Sequence, residues 1–118
     1  MDDRGAVGRY GEDVAARHLQ GLGLRILARN WRCRAGEIDI IAVDGDCLVF
    51  CEVKTRRTST FGPPQAAVTR QKLLRLRRLA VTWLAQQEAS WAGLRLDVVA
   101  VVAGPDGAAS VEHLPGVG

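Results

Sequence analysis

Apolar positions along this chain recur first at helical and then at strand spacing. Over residues 4–22, Val7, Tyr10, Val14, Leu19 and Leu22 roughly follow a helical period after an Asp2-Asp3 start, which predicts a helix stopped by Gly23. Residues 24–33 read as a first strand. Two runs rich in Val, Ile and Phe follow, 38–43 and 47–53, and the Asp44-Gly45-Asp46 between them predicts a hairpin. After a loop over 55–64, a second helix is expected, N-capped by Thr69 and ending near Gln87. Its core stripe is Leu73, Leu76, Ala80, Trp83 and Leu84, with Arg75 and Arg78 turned away. Residues 94–103 supply a fourth strand and 110–114 a short fifth, after a turn at Gly104-Pro105-Asp106-Gly107. This order predicts an α/β fold, a mixed central β-sheet of four to five strands flanked by helices. The long second helix lets the fourth strand run parallel to the third.

Size adds one constraint: 118 residues make a single domain, 1–118, with a frayed tail at 115–118. The composition, 47% hydrophobic and 25% charged, is that of an ordinary globular protein. The longest apolar run, 98–103, is far short of the ~20 residues of a membrane helix, and Met1-Asp2-Asp3-Arg4 has no apolar signal core. A cytoplasmic protein with no membrane partner is expected. Cys33, Cys47 and Cys51 are odd in number and in no metal-ligand spacing, which predicts buried free thiols. Gly5, Gly8 and Gly11 are unusual inside a helix, where each costs on the order of 1 kcal/mol relative to alanine. Either they pack against the sheet or a phosphate backbone approaches there.

Charge changes the picture more. From Val53 to Gln87 there is no acidic residue, yet Lys54, Arg56, Arg57, Arg70, Lys72, Arg75, Arg77 and Arg78 all fall there. Arg25, Arg29, Arg32 and Arg34 form a second basic cluster before the hairpin. Segregation of this kind favours a polyanionic partner, nucleic acid above all, although a charge run can also be a solvated face.

The hairpin carries the candidate chemistry. With a turn at Asp44-Gly45, period-two alternation places Glu37, Asp39, Glu52 and Lys54 on one face, Asp39 opposite Phe50 and Glu37 opposite Glu52. Asp39 and Glu52 are then diagonal neighbours roughly 7 to 8 Å apart, within reach of a shared ion. Both hairpin strands are otherwise apolar on both faces, so the sheet is expected to be covered on both sides and the acids to lie near packed surface. An unpaired carboxylate there loses hydration or takes up a proton, and a hard cation favours its charged form. Mg2+ takes one or two protein carboxylates and leaves sites for water and phosphate oxygen, as phosphodiester hydrolysis requires. Lys54, one of two lysines against fourteen arginines, could orient or deprotonate the attacking water. The residues alone leave open a second reading, an exposed cross-strand salt bridge between Lys54 and Glu37 or Glu52.

Gly11-Glu12, Asn30, Gly36-Glu37-Ile38-Asp39, the run from Val49 to Arg56, Gly62, Val68, Lys72 and Leu96-Asp97-Val98-Val99 together resemble the small bacterial YraN-like proteins. Through them the chain resembles the PD-(D/E)XK nuclease superfamily, which includes archaeal Holliday junction resolvases. The resemblance implies a restriction-endonuclease-like fold and a Mg2+ (or Mn2+) dependent endonuclease acting on DNA, branched or junction DNA among its substrates. It also implies a homodimer, since a four-way junction has two symmetric cuts. By position, Asp39 matches the metal-binding aspartate, Glu52 the second acid, Lys54 the lysine and Glu12 the glutamate of the first helix. Val53 falls among the metal-binding positions, and Glu37 is a further acid beside them. Ile38 stands where the superfamily often has proline. Arg56, Arg57, Arg70, Lys72, Arg75 and Arg78 are the candidate DNA contacts. The alternatives are a non-catalytic nucleic-acid-binding module of the same fold, or a subunit active only in a larger DNA-processing complex.

Overall fold

The computed structural model describes residues 3–56, 68–104 and 108–117, with side chains from residue 6 onward. Chain order is α1 (Asp3–Gly21), β1 (Arg25–Cys33), β2 (Gly36–Asp44), β3 (Cys47–Arg56), α2 (Arg70–Leu84), β4 (Gly93–Ala103) and β5 (Ala109–Leu114). The strands form one five-stranded sheet in the order β1-β2-β3-β4-β5. Only β3 and β4 pair in parallel among them, joined through α2, and the other neighbours are antiparallel. This is the expected α/β architecture, and it is consistent with a restriction-endonuclease-like fold. No helix among the described residues is long and apolar enough to cross a membrane.

Helix α1 ends where Gly23 adopts φ 95. Gly23 N donates to Gln20 O at 3.0 Å and Leu24 N to Leu19 O at 3.0 Å. These two bonds satisfy the last carbonyls, and Leu19 and Leu24 close the motif in the core. Helix α2 starts at Thr69, whose hydroxyl accepts from Lys72 N at 3.2 Å, and it stops at Leu84 rather than near Gln87.

A separate core covers each face of the sheet, as the two-sided apolar strands require. On one face Ala15, Ala16 and Leu19 of α1 pack on Ile40, Ala42, Val49, Cys51, Val99 and Val101. On the other, Leu76, Leu79, Ala80 and Trp83 of α2 pack on Ile38, Ile41, Val43, Leu48, Phe50 and Leu96. The α1 stripe differs from expectation in part: Leu19 and Val14 pack as expected and Ala15 and Ala16 join them, while Tyr10 and Leu22 are exposed. Small side chains bring α1 close to the sheet. At Gly11 a Cβ would overlap Thr55 Oγ1 of β3, which settles this glycine as a packing position, whereas Gly8 faces open space. The cysteines are free, but only Cys51 is buried.

The hairpin register differs by two residues from the expected one. Asp44 pairs with Cys47, so the turn residues are Gly45, at φ 63, and Asp46. Moving the turn one residue along shifts every partner by two and preserves the faces. Ile41 lies opposite Phe50 and Ile40 opposite Cys51. Extended by one pair, this register sets Asp39 directly across from Glu52 instead of diagonal to it. Strand β3 also runs on to Arg56, so Thr55 and Arg56 belong to a strand paired with β4, not to a loop.

A candidate acidic metal site where two strands part

The ladder between β2 and β3 ends at Ile40 and Cys51. Beyond it β2 continues with β1 alone and β3 with β4 alone, so the sheet forks, and Asp39 and Glu52 are the first residues past the fork. Across it Asp39 Oδ2 accepts from Val53 N at 2.8 Å, so a side chain replaces the backbone bond that the ladder no longer supplies. Ile38 and Ile41 both pack on the α2 side, so strict alternation is lost around Asp39. Across β1, Asn30 lies between the pairs Arg29–Ile40 and Trp31–Ile38, opposite Asp39, and has φ 55. Asparagine tolerates that left-handed conformation better than most residues.

A cleft of about 230 Å³ opens at the fork, lined by Gly36, Glu37, Asp39, Glu52, Arg75 and Leu79 among others. Burial pushes the Asp39 carboxyl up from 3.8 to about 6. The Val53 N–H opposes that rise, and the nearby charges of Glu12, Glu37 and Glu52 add to it. Glu12, from α1, is also raised, chiefly by burial, while Arg29 and the Asn30 side chain favour its charged form. Among the described residues its Oε1 is buried without a hydrogen-bond partner. The structure thus brings Glu12, Glu37 and Glu52 within electrostatic reach of Asp39. Among the described residues, no three His, Cys, Asp or Glu side chains are gathered into a ready-made metal cage. Mg2+ does not require one, because it keeps several waters and takes one or two carboxylates. An orphaned buried carboxylate oxygen beside a carboxyl held at about 6 fits a hard divalent cation.

Lys54 is exposed, two residues beyond Glu52 on the same strand face. The acids find arginine partners instead of the salt bridge to Lys54. Arg32 Nε donates to Glu37 Oε2 at 3.0 Å, and an Arg75 NH2 group reaches Glu52 Oε1 at 3.4 Å. Arg75 therefore turns toward the cleft, contrary to the expectation that it points away. Arg70 and Arg78 are exposed on α2, Lys72 is half-buried in its first turn, and Arg56 is half-buried at the end of β3. Arg57 and Gly62 lie outside the described residues.

Sequence reasoning missed a second ionic cluster, on the α1 side of β4. Asp97 is fully buried. Its carboxylate accepts from Arg95 Nε at 2.9 Å and an Arg95 NH2 group at 3.1 Å, from Gly116 N at 3.1 Å, and contacts His113 Nε2 at 2.7 Å. Arg95 also reaches Asp44 at 3.1 Å, and its hydrogen bonds to Asp97 hold the guanidinium well above its ordinary pKa. The available signal was an aspartate inside the apolar run of β4, two residues after an arginine.

Fold and cleft together define an α/β domain with a mixed sheet forked at an acidic cluster. The profile described as "Uncharacterised protein family UPF0102" matches residues 11–101, and the chain belongs to that family. Similar relatives carry the description "UPF0102 protein". One from Beutenbergia cavernae is 56% identical over 118 residues, covering 100% of each chain. One from Mycolicibacterium vanbaalenii is 55% identical over 116 residues, covering 98% of this chain and 96% of the relative. One from Streptomyces griseus is 56% identical over 118 residues, covering 99% of each.

Proposed function

We propose that this chain is a metal-dependent endonuclease hydrolysing DNA phosphodiester bonds, related to the PD-(D/E)XK nucleases. One observation carries the reading: Asp39 and Glu52 flank the fork, Glu12 comes to it from α1 with an orphaned buried oxygen, and Lys54 follows Glu52 on the same face. Asp39, Glu52 and Glu12 would hold Mg2+ or Mn2+, with Val53 at the adjoining backbone position. Such an ion supplies Lewis-acid polarisation of a phosphoryl oxygen and a more acidic bound water. The chain's own residues do the rest. The Val53 N–H fixes the Asp39 carboxylate across the fork. The Lys54 ammonium, on an exposed stem, can orient a water and hold charge on the departing phosphate. Arg70, Lys72, Arg75 and Arg78 meet the phosphate backbone. Activity on branched DNA by a homodimer completes the reading, on resemblance.

Arg75 at Glu52 favours a second reading, a binding module whose acid is neutralised by arginine. One experiment separates them: the full chain incubated with branched, nicked and single-stranded DNA in Mg2+, Mn2+ or chelator, beside Asp39→Ala and Lys54→Ala. The nuclease reading expects metal-dependent cleavage, reduced at least about a hundredfold in both variants. Metal-independent binding with no cleavage of any substrate supports the module instead, and cleavage surviving in Asp39→Ala refutes the site.

A further inference from the structure

The second ionic cluster ends in two imidazoles that face each other. His18 Nε2 of α1 stands 3.3 Å from His113 Nδ1 of β5, with ring centroids 5.2 Å apart and planes at 82°. Asp97 accepts three N–H bonds from Arg95 and Gly116 and is an acceptor only, so His113 Nε2 must carry the proton it shares with Asp97. In the neutral imidazole that fixes the tautomer: His113 Nδ1 then presents a lone pair to His18. The two facing nitrogens can then share either the N–H of His18 Nε2 or a metal ion.

The geometry points to a transition-metal site bridging α1 and β5, with His18 Nε2 and His113 Nδ1 as ligands to Zn2+ or a similar divalent ion and Asp97 behind His113 as its positioning residue. Two imidazole nitrogens about 2.0–2.1 Å from one tetrahedral ion stand about 3.3–3.4 Å apart, with ring centres about 5.2 Å apart. Both separations match those found. A straight N–H···N bond of the same length would hold the centres about 5.6 Å apart, so the contact is not a straight hydrogen bond. The carboxylate behind a ligating histidine is the usual outer partner of a metal-bound imidazole, and here Arg95 and the backbone of Gly116 hold it rigidly. The site is partly buried, so water can fill the remaining positions, and imidazole donors suit Zn2+ where the carboxylates at the fork suit Mg2+. Such an ion would fasten edge strand β5 to the C-terminal half of α1, on different residues from the proposed nuclease centre.

The test titrates Zn2+, and Co2+ as a coloured substitute, into the full chain and into His18→Gln, His113→Gln, Asp97→Asn and Asp39→Asn. Binding is followed by calorimetry and by the nitrogen resonances of the imidazoles. Expected is one equivalent that shifts His18 Nε2 and His113 Nδ1, counted in Asp39→Asn so that ions held at the fork do not contribute, with affinity falling at least tenfold in either histidine variant. A fall of about 10- to 100-fold is expected in Asp97→Asn, with no change in Asp39→Asn. His18 is half-exposed on α1, so His18→Gln keeps the test valid if Asp97→Asn does not fold. Unchanged affinity in His18→Gln, unshifted imidazole nitrogens, or no saturable uptake below about 1 mM overturns the proposal.

Discussion

Asp39 should destabilise the folded chain near neutral pH, and Asp39→Asn should therefore stabilise it. The carboxyl has its pKa raised from 3.8 to about 6 by burial and by Glu12, Glu37 and Glu52. An acid bound more tightly to its proton in the folded state adds no penalty below about pH 4, an increasing one between about 4 and 6, and the full one above 6. At 1.36 kcal/mol per pH unit the full penalty is about 3 kcal/mol. Asparagine carries no charge and keeps an oxygen for the Val53 N–H, though as a weaker acceptor, so a net gain of about 1–3 kcal/mol is expected at pH 7.5. Urea unfolding of both proteins in chelator at pH 4.5 and 7.5 measures it. The variant's midpoint should exceed the wild type's by about 0.5–2 M at pH 7.5, and the gap should shrink sharply at pH 4.5. Added Mg2+ should raise the wild-type midpoint alone. A variant less stable than wild type at pH 7.5, or a gap independent of pH, would refute the electrostatic reasoning.

Three further outcomes test other parts of the structure. Gly11→Ala should destabilise by about 1–3 kcal/mol through overlap with Thr55, partly relieved by Thr55→Ala, whereas Gly8→Ala should stabilise by about 0.5–1 kcal/mol; thermal unfolding of the set separates them. Asp97→Ala should cost about 3–5 kcal/mol by leaving Arg95 and His113 without their shared acceptor, read by denaturant unfolding. Arg75→Ala should change stability by less than about 1 kcal/mol, since its pair with Glu52 is largely exposed, yet raise Mn2+ affinity severalfold and weaken DNA binding, read by calorimetry and by salt-dependent DNA titration.

Element order, the parallel β3–β4 pair and the face shared by Glu52 and Lys54 were legible in the sequence because apolar period and crossover length determine them. The hairpin partner of Asp39 was not. Asp44-Gly45 and Gly45-Asp46 are both acceptable two-residue turns that leave the same residues on each face, so apolar period does not choose between them. The α1 stripe was misjudged in part for a related reason. Large residues such as Tyr10 and Leu22 dominate a hydrophobic pattern, but the close approach at Gly11 leaves room for Ala15 and Ala16 against the sheet. Glu12 was placed by resemblance alone. Nothing in the spacing of one glutamate announces that its Oε1 will be buried without a partner.

The two aspartates of the central strands meet burial in different ways on one sheet. Asp97 is the more deeply buried, yet Arg95, His113 and the Gly116 N–H saturate its oxygens, so its burial is offset by donors that the fold itself supplies. Asp39 receives one backbone N–H and faces three other acids, so its charge is left under-compensated. Packing alone would favour an apolar residue at the fork, as at Ile38 and Ile40 on either side. A carboxylate held there at a cost to stability, while Asp97 is fully satisfied across β3, is a candidate for binding rather than for packing. On the proposed nuclease reading, the compensation would come from a divalent cation carrying water, held by Asp39, Glu52 and Glu12.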